Sequence, residues 1–310
     1  MSVDDSDRVG AEGAPTRRFG HVALLGRPNV GKSTLLNTLI GTRLSIVTSK
    51  PQTTRHRILG VANRPDAQLV FLDTPGLHEV GKRAINRRLN RIARQVPDEA
   101  DVLAHVIEAL RWNADDEQVW RLLARHRQPR LLVINKVDRV IDKTALLPFA
   151  AEITGGRDYA GVHYVVARRG DGVEALLDDL VARLPYGPSQ YDEDAFTDRS
   201  ERFLAAEFVR EQLMLQLSAE LPYAVAVEIE RFEEEDGLAR IAAVIWVERD
   251  TQKAIVIGAG GKQLKRIGSD ARRAMERLFG RRVFLQLWVR VRADWSDDDV
   301  ALGQFGYGDG

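Results

Sequence analysis

The residues with the clearest chemical capacity are eight consecutive positions, Gly26 to Ser33, which read GRPNVGKS. They match the pattern G-x-x-x-x-G-K-[ST] and lie between an apolar run and a stretch with helical spacing, a context that argues against an ordinary tight turn. In such a loop, successive backbone N–H groups point into one concavity that accepts phosphate oxygens. The predicted nucleotide contacts here are Asn29, Val30, Gly31, Lys32, Ser33 and Thr34.

Two further segments are predicted to complete a phosphate and metal site. Asp73 ends the apolar run LVFL and opens DTPG, so its carboxylate can hold Mg²⁺ while the Gly76 N–H meets the γ-phosphate. A threonine of the polar segment QTTR can ligate the same ion, and spacing alone does not separate Thr53 from Thr54. We assign the metal to Ser33, Thr54 and Asp73, and the catalytic contacts to Lys32, Thr54 and Gly76.

A third motif, NKVD at residues 135–138, predicts which base is read. The Asp138 carboxylate can accept from both N1–H and N2–H of guanine, and adenine offers no such pair of donors. Asn135 can orient the loop and bond N7, and the Lys136 stem can lie over the base. The motif therefore favours GTP over ATP.

Composition limits the classes of protein that remain. A chain of 310 residues predicts about two domains. The absence of Cys excludes disulfides and thiolate zinc sites, and no apolar run approaches the ~18 residues of a membrane span. The net charge is zero, but residues 186–250 hold 6 basic and 16 acidic residues, whereas residues 251–295 hold 11 and 3. Such segregation indicates a polyanionic partner for the basic segment.

The elements that must position these motifs form two units. Apolar strand-like runs alternate with amphipathic helical stretches up to Leu184, which predicts an α/β domain with a mostly parallel sheet. After a Pro-rich, acidic stretch, a helix, a hairpin with period-two alternation, a basic helix and a last alternating strand predict an α+β domain. The expected boundaries are a flexible tail at 1–18, the first domain at 19–185, a linker at 186–199, the second domain at 200–295 and a flexible tail at 296–310.

The second unit carries an RNA-binding pattern. A GxxG segment opens the basic helix, and the order of elements fits a type II KH domain, whose GxxG loop approaches the backbone of about four unpaired nucleotides. Ile257 and Ile267 are expected to floor the groove, and Trp288 is expected in the core rather than stacked on a base. The predicted RNA contacts are Gly258, Ala259, Gly260, Gly261, Lys262, Lys265, Arg266, Arg272 and Arg273.

The motifs, taken in this order, resemble translation-factor-class GTPases, and longer sequence segments resemble the Era family of bacterial ribosome-assembly GTPases. These segments are GRPNVGKSTLLN, KPQTTRHRILG, DTPGLHE, TDRSERFLAAEFVRE, ELPYAV, IGAGGKQLKRIG and FLQLWVRVRADW. The resemblance runs from about Phe19 to Trp295. It implies a GTPase domain followed by a KH domain, Mg²⁺-dependent hydrolysis, and binding of the 3′ end of small-subunit rRNA during maturation of that subunit.

Three positions bear on how the resemblance transfers. The family's Ser-Ala pair, whose backbone reads guanine O6, is Val166-Ala167 here, so we expect guanine selectivity with only micromolar affinity. Leu77 stands where a water-orienting Gln occurs in other GTPases, which predicts slow intrinsic hydrolysis. Asn29 matches a residue that helps to bind K⁺ in related GTPases, which gives the hypothesis of a K⁺ beside the phosphates.

The sequence thus predicts a cytoplasmic, monomeric GTPase whose KH domain binds single-stranded rRNA on the small ribosomal subunit, with at most peripheral membrane association. Two alternatives stay open. The RNA could belong to tRNA or the large subunit, or the nucleotide site could be structural in an RNA-binding protein.

Overall fold

The computed structural model describes residues 17–48, 50, 53–76, 84–218 and 221–305. They form two sheets, each with its own helices. Residues 1–16 of the predicted tail at 1–18, Gln52, Leu77 and the last five residues lie outside the described residues. The tail prediction is wrong for its last two residues, because Arg17 bonds to the Arg64 carbonyl and Arg18 begins the first strand.

The first sheet has six strands in the order β2-β3-β1-β4-β5-β6, and β2 alone runs antiparallel to its neighbour. Burial is continuous along β3, β4 and β5, and along β1 it is interrupted only at Arg18 and His21. This matches their largely apolar sequences, because both faces of the sheet are covered by helices. The register sets Leu24 opposite Asp73, and Glu108 opposite Asn135. The strands are β1 Arg18–Leu25, β2 Ile58–Asn63, β3 Ala67–Asp73, β4 Val102–Glu108, β5 Arg130–Asn135 and β6 Gly161–Val165.

The helices of this domain cover both faces of the sheet. They are α1 Lys32–Leu39, α2 Ala84–Glu99, α3 Ala114–Leu123, α4 Leu146–Thr154 and α5 Val173–Arg183. β1 lies between β3 and β4, so β2 and β3 are added on one side of β1 and β4 to β6 on the other. In such a sheet the crevice at the carboxyl ends of the central strands is where ligands bind.

The second domain follows the order α6, β7, β8, α7, α8, β9, and its sheet order is β7-β8-β9. This is the predicted KH topology, with one helix before the GxxG turn that the sequence analysis did not anticipate. The acidic hairpin strand β7 lies at the sheet edge opposite β9. The elements are α6 Glu201–Gln216, β7 Val225–Glu235, β8 Leu238–Val247, α7 Asp250–Ile257, α8 Lys262–Phe279 and β9 Arg282–Val291.

The linker lies along the outer edge of the first sheet. The Val61 N–H donates to the Phe196 carbonyl at 2.9 Å, and the Asn63 side chain donates to the Glu193 carbonyl at 2.9 Å. The Gln68 side-chain oxygen accepts from the backbone of Gln190 at 2.9 Å. Because β2 is an edge strand, its unpaired groups are available for these bonds.

The predicted flexible tail at 296–310 is wrong for residues 296–305. Helix α9, Asp299–Gln304, follows a short turn at Trp295–Asp297. Its buried apolar residues, together with Trp295, pack against the N-terminal end of α2, and the Asp297 carboxylate accepts from the Ala84 N–H at 2.9 Å. The segment is too short and too acidic to show a periodic pattern in the sequence. It is ordered because it packs on surfaces that both domains supply.

Candidate nucleotide site and RNA groove

The phosphate loop adopts the backbone path that its glycines predict. Gly31 has φ 104°, and a Cβ there would lie 2.4 Å from the Asn135 amide nitrogen. Asn29 also has positive φ, at 64°, a conformation that Asn tolerates better than most residues. The loop therefore requires glycine at Gly31 for two independent reasons, its backbone conformation and the close packing of Asn135.

Lys32 is buried at the start of α1 and folds back over the loop. Its Nζ donates to the carbonyls of Gly26 at 2.9 Å and Arg27 at 3.1 Å. An ammonium has three donors, so one N–H stays for a phosphate oxygen in the cavity. Burial lowers the pKa of Lys32 to about 8, although Asp73 opposes the shift. A bound polyphosphate would raise this pKa again, which is the behaviour expected of a phosphate-binding lysine.

Four oxygen-bearing side chains meet at the end of β3. Ser33 Oγ lies 2.8 Å from Thr54 Oγ1 and 2.8 Å from Asp73 Oδ2, and Ser45 Oγ donates to the same carboxylate oxygen at 3.1 Å. Thr53 instead bonds within its own loop, to Thr48 Oγ1 and the Lys50 carbonyl, each at 2.7 Å. The geometry thus brings Thr54, not Thr53, to Ser33 and Asp73. Ser45 was missed by sequence analysis, since an isolated Ser gives no signal.

This corner fits a hard divalent cation. Asp73 Oδ1 is buried and has no hydrogen-bond partner among the described residues, and burial raises the pKa of Asp73 despite the nearby Lys32. An unpaired buried carboxylate is costly, and a cation bound beside it would remove that cost. Hydroxyl and carboxylate oxygens are the ligands that Mg²⁺ prefers.

Asn135 ties three loops together. Its amide nitrogen donates to the Val30 carbonyl at 2.8 Å, and its oxygen accepts from the N–H groups of Lys136 at 2.7 Å and Ala167 at 3.0 Å. The predicted orienting role of Asn135 is therefore present in the geometry. The Ala167 N–H, which was expected to read guanine O6, donates to Asn135 in this structure. Val166 is buried, and its N–H donates to the Asp171 carbonyl at 2.9 Å.

Lys136 and Glu108 form an ionic cluster beside the base-reading loop. Lys136 Nζ donates to the Asn29 carbonyl at 2.6 Å and to Glu108 Oε2 at 2.9 Å. Burial alone would raise the pKa of Glu108, but Lys136, Arg111 and Arg27 hold it below its ordinary value. Sequence analysis missed Glu108, although its place at the end of β4 is the signal that could have found it.

One cavity of about 610 Å³ is lined by most of these groups and also by the exposed Asp138 and the half-buried Thr34 and Gly76. Asp73 and Ser45 are buried and do not line it. A Cβ on Gly76 would lie 2.7 Å from the Pro28 backbone nitrogen, so the segment after β3 approaches the phosphate loop as closely as glycine allows. The cavity is large enough for a nucleotide.

The segment between α1 and β2 also reaches the second domain. The Arg55 guanidinium is 1% exposed and donates to the carbonyls of Val225 at 2.9 Å, Pro222 at 3.1 Å and Tyr223 at 3.0 Å. Lys50 Nζ donates to two carbonyls at the end of α6. Thr54 therefore bonds at the metal corner, while the next side chain, Arg55, reaches the second domain.

A groove of about 540 Å³ lies between α8 and β9 in the second domain. Gly258, Gly260 and Gly261 of the GxxG turn all have positive φ. The side of α8 that lines the groove presents Lys265 and Arg272. Lys262, Arg266 and Arg273 are exposed on the same helix but do not line the groove, and Ala259 is exposed in the turn.

Two expectations for this groove are wrong. Ile267 is fully buried in the core, and Ile257 does not line the groove; the apolar floor is made by Leu264, Leu285 and Leu287. Ile267 does not face the groove, because α8 packs this side chain into the core formed with α6 and the sheet. Gly268 lies in the groove wall, where a Cβ would come within 3.2 Å of Leu287.

Trp288 is also placed otherwise than expected. Trp288 is 42% exposed on β9, whereas Trp295 is fully buried and its indole nitrogen donates to the Ala224 carbonyl at 3.3 Å. Alternation alone does not tell which face of an edge strand is covered, and here α8 covers the odd-numbered positions of β9. The core tryptophan is therefore Trp295.

Comparison with known protein families gives a match in each domain. Residues 21–136 match a family described as "50S ribosome-binding GTPase", and residues 220–296 match the KH domain family. Within the described residues, no helix combines the length and the apolar character needed to cross a membrane.

Whole-chain relatives agree with both matches. "GTPase Era" of Stenotrophomonas maltophilia strain R551-3 is 58% identical over 288 residues, covering 93% of this chain and 97% of the relative. "GTPase Era" of Xanthomonas oryzae pv. oryzae is 58% identical over 290 residues, covering 94% and 97%.

Two solved structures share the complete two-domain arrangement. A variant of Aquifex aeolicus Era bound to GDP and aluminium tetrafluoride superposes with a TM-score of 0.91 at 38% identity, covering 94% of this chain and 99% of that one. Era in complex with MgGDPNP and nucleotides 1506–1542 of 16S ribosomal RNA gives the same values. Because a relative is 58% identical over 93% of this chain, and each domain matches the corresponding family, the protein belongs to the Era family of GTPases.

Proposed function

We propose that this GTPase uses GTP binding and hydrolysis to control how its KH groove holds single-stranded RNA at the 3′ end of small-subunit rRNA during maturation of that subunit. The observation that carries this is that Lys50 and Thr54 line the nucleotide cavity while Lys50 and Arg55 donate to carbonyls of the second domain. The related Era structure bound to part of 16S rRNA supports the choice of RNA. We place this work in the cytoplasm, with the protein acting as a monomer.

In the nucleotide site, Ser33 and Thr54 would ligate Mg²⁺ directly, and Asp73 would hold it through water. Bound there, Mg²⁺ supplies positive charge to the β- and γ-phosphates. Lys32 would add its third N–H donor to the same oxygens, and the Gly76 N–H would contact the γ-phosphate. Electrostatic stabilisation of the terminal phosphate is the main catalytic effect available to these residues.

Base recognition would rest on Asp138, whose exposed carboxylate faces the cavity. Asn135 and Lys136 would hold the loop through their bonds to the phosphate loop, and the Lys136 stem would flank the base. Because the Ala167 N–H is shared with Asn135, a contact to guanine O6 would require the loop at Val166 to shift. The cost of that shift supports an affinity that is only micromolar, while guanine selectivity rests on Asp138.

Slow intrinsic hydrolysis and a K⁺ requirement complete the proposed chemistry. Asn29, within the phosphate loop, lines the cavity, where a monovalent cation would offset charge that develops on the phosphates. Phosphate release measured in KCl and in NaCl tests this. Equal turnover in the two salts would remove K⁺ from the proposal.

The switch would act through neighbouring residues of one extended segment. When γ-phosphate and Mg²⁺ order Thr54, Arg55 is held toward the carbonyls of the second domain. Loss of γ-phosphate would release Thr54 and weaken that contact, which is an order–disorder switch.

The test is RNA affinity in two nucleotide states. A labelled strand matching the small-subunit rRNA 3′ end is titrated against protein loaded with GDP or with a non-hydrolysable GTP analogue, with a scrambled strand as control. Tighter, sequence-selective binding with the analogue is expected. Selective binding that ignores the nucleotide would remove the coupling, and no preference over the scrambled strand would remove the RNA target.

The large ribosomal subunit is tested as a second target, because the family that the first domain matches is described as a 50S ribosome-binding GTPase. Purified small and large subunits and tRNA are compared as competitors of the labelled strand. The proposal requires the small subunit to compete best. A structural nucleotide site is tested by Lys32→Ala, which should abolish multiple-turnover phosphate release.

A further inference from the structure

Asn37, one helical turn after Ser33 on α1, bonds to the chain that follows this helix. Its side-chain oxygen accepts from the N–H groups of Leu44 at 2.9 Å and Ser45 at 2.8 Å, and its amide nitrogen donates to the Ser45 carbonyl at 2.8 Å. Residues 41–48 belong to no helix or strand, so the Asn37 amide takes the place of a ladder partner for these backbone groups. The backbone on both sides of Ser45 is thereby fixed.

The Ser45 hydroxyl reaches the carboxylate of the metal corner. Ser45 is 1% exposed, and its Oγ donates to Asp73 Oδ2 at 3.1 Å. Ser33 Oγ donates to the same oxygen at 2.8 Å. Helix α1 therefore holds this carboxylate by two routes, directly through Ser33 and indirectly through Asn37 and Ser45. Both donors lie on Oδ2, whereas Oδ1 is buried and has no hydrogen-bond partner among the described residues.

The two hydroxyls differ in what else they can do. Ser33 lines the nucleotide cavity, where its oxygen would be drawn to Mg²⁺. Ser45 does not line the cavity, so its hydroxyl can remain on the carboxylate whether or not the metal is bound. A carboxylate turns easily about the bond to its Cβ, because that torsion has only broad preferences. Ser45 is therefore the donor that can fix the rotation of Asp73 in both states.

The residues on either side of Ser45 contact the second domain instead. The Arg43 guanidinium donates to Glu211 Oε1 at 2.7 Å, and the Val47 N–H donates to the same oxygen at 3.5 Å. Ser45 thus lies between two contacts to α6, while its own side chain bonds at the metal corner. Because these contacts use different atoms, Arg43 can be changed without removing any bond of Ser45.

We propose that Ser45 is a positioning residue of the metal site: held by Asn37, it orients the Asp73 carboxylate so that Oδ1 can bind a water of the Mg²⁺ ion. This role rests on the proposed function, in which Asp73 holds Mg²⁺ through water. Residues that orient metal-binding groups typically account for about 10- to 100-fold in metal affinity. Ser45 should therefore affect the Mg²⁺ affinity of the nucleotide complex and leave metal-free nucleotide binding unchanged.

The experiment measures release of a fluorescent GDP from the full chain over a series of Mg²⁺ concentrations. Mg²⁺ joins the phosphates to the protein and so slows release, and the concentration that gives half of this effect reports the Mg²⁺ affinity of the complex. The variants are Ser45→Ala, Asn37→Ala and the two together, with Arg43→Met as a control in the same loop. Ser296→Ala is the matched control, since Ser296 is 1% exposed and donates to a Glu248 carboxylate oxygen at 2.6 Å in the second domain.

Ser45→Ala should raise the half-effect Mg²⁺ concentration at least about 10-fold and leave the release rate in excess EDTA unchanged. Asn37→Ala should shift it in the same direction. The double variant should shift it no further than the larger single change, because Asn37 acts through Ser45. Arg43→Met and Ser296→Ala should both match the wild type. The rate in EDTA separates positioning from a structural role, which would speed release without metal as well.

Three results would overturn the proposal: an unchanged half-effect concentration in Ser45→Ala, an equal acceleration with and without Mg²⁺, or an equal shift in Arg43→Met, which would indicate general loosening of the loop. Asp73→Asn separates this proposal from the proposed function. If Asp73→Asn shifts the half-effect concentration and Ser45→Ala does not, only the positioning role fails. If Asp73→Asn has no effect, the metal site of the proposed function fails, and the role of Ser45 fails with it.

Discussion

Replacing Arg55 by Met should uncouple the two domains without disabling either one. The side chain is 1% exposed and gives three hydrogen bonds to carbonyls of residues 222–225. Hydrogen bonds to a charged group contribute about 1.5–3 kcal/mol each, and removing the donor leaves buried acceptors. Since the interface can relax or admit water, we expect a net loss of about 3–5 kcal/mol in domain docking, as for other broken buried charge contacts.

The readout is the ratio of RNA affinities with GTP analogue and GDP. A loss of 3 kcal/mol corresponds to more than about 100-fold in a docking equilibrium, so the ratio should fall close to one. Amide hydrogen exchange at residues 221–225 should also accelerate. GTP hydrolysis without RNA should change little, because Arg55 does not line the nucleotide cavity.

Arg57→Met is the matched control. Arg57 follows Arg55 by two residues, is partly exposed and pairs with Glu99 at 2.7 Å within the first domain. Such a surface pair contributes about 0–1 kcal/mol, so the affinity ratio should stay at its wild-type value. If Arg55→Met retained the full nucleotide dependence and normal hydrogen exchange, the transmission through Arg55 would be refuted.

Three further predictions follow from single positions. Asp138→Asn should shift preference from GTP to xanthosine triphosphate, because Asn offers a donor to the xanthine C2 oxygen and an acceptor for N1–H; competition binding measures it, and retained GTP preference would contradict the assignment. Gly76→Ala should slow hydrolysis at least about 10-fold, because its Cβ would lie 2.7 Å from the Pro28 backbone nitrogen. Single-turnover assays with bound GTP measure the rate, and an unchanged rate would contradict the prediction. Burial lowers the pKa of His105, which is hydrogen-bonded to Tyr159 at 2.7 Å, to about 3. In the unfolded protein this histidine takes up a proton below pH 6.5. Lowering the pH from 7 to 5 should therefore reduce the unfolding free energy by about 2 kcal/mol through this group. Urea unfolding of His105→Phe should show a shallower pH dependence over that interval, and an identical slope would refute it.

The fold class was predictable because each signal in it is local. Continuous apolar runs alternating with amphipathic stretches are typical of buried parallel strands and their helices, and GRPNVGKS has one backbone path that its glycines permit. The order of helix, hairpin, GxxG turn, basic helix and strand was likewise visible as changes of period. These features depend on neighbours within a few positions of the sequence.

Features that depend on distant partners were not predictable. Residues 296–305 have no pattern of their own, yet they are ordered because Trp295 and Phe305 meet apolar surfaces of both domains. Trp288 was misplaced for the same reason, since alternation along a strand shows which residues share a face but not what covers that face. Ile267 was expected in the groove, although the packing of α8 turns it into the core.

The sequence by itself determined which chemical groups the protein has and the local path of the chain around them: the phosphate loop, the carboxylate at the end of β3, the guanine-reading loop and the GxxG turn. Only the tertiary structure decided which threonine meets Ser33 and Asp73, that Asn135 joins three loops, and that Arg55 contacts the second domain. The physical reason is range. Backbone conformation follows from adjacent residues, whereas a hydrogen bond between positions 170 residues apart exists only once both domains are folded and docked.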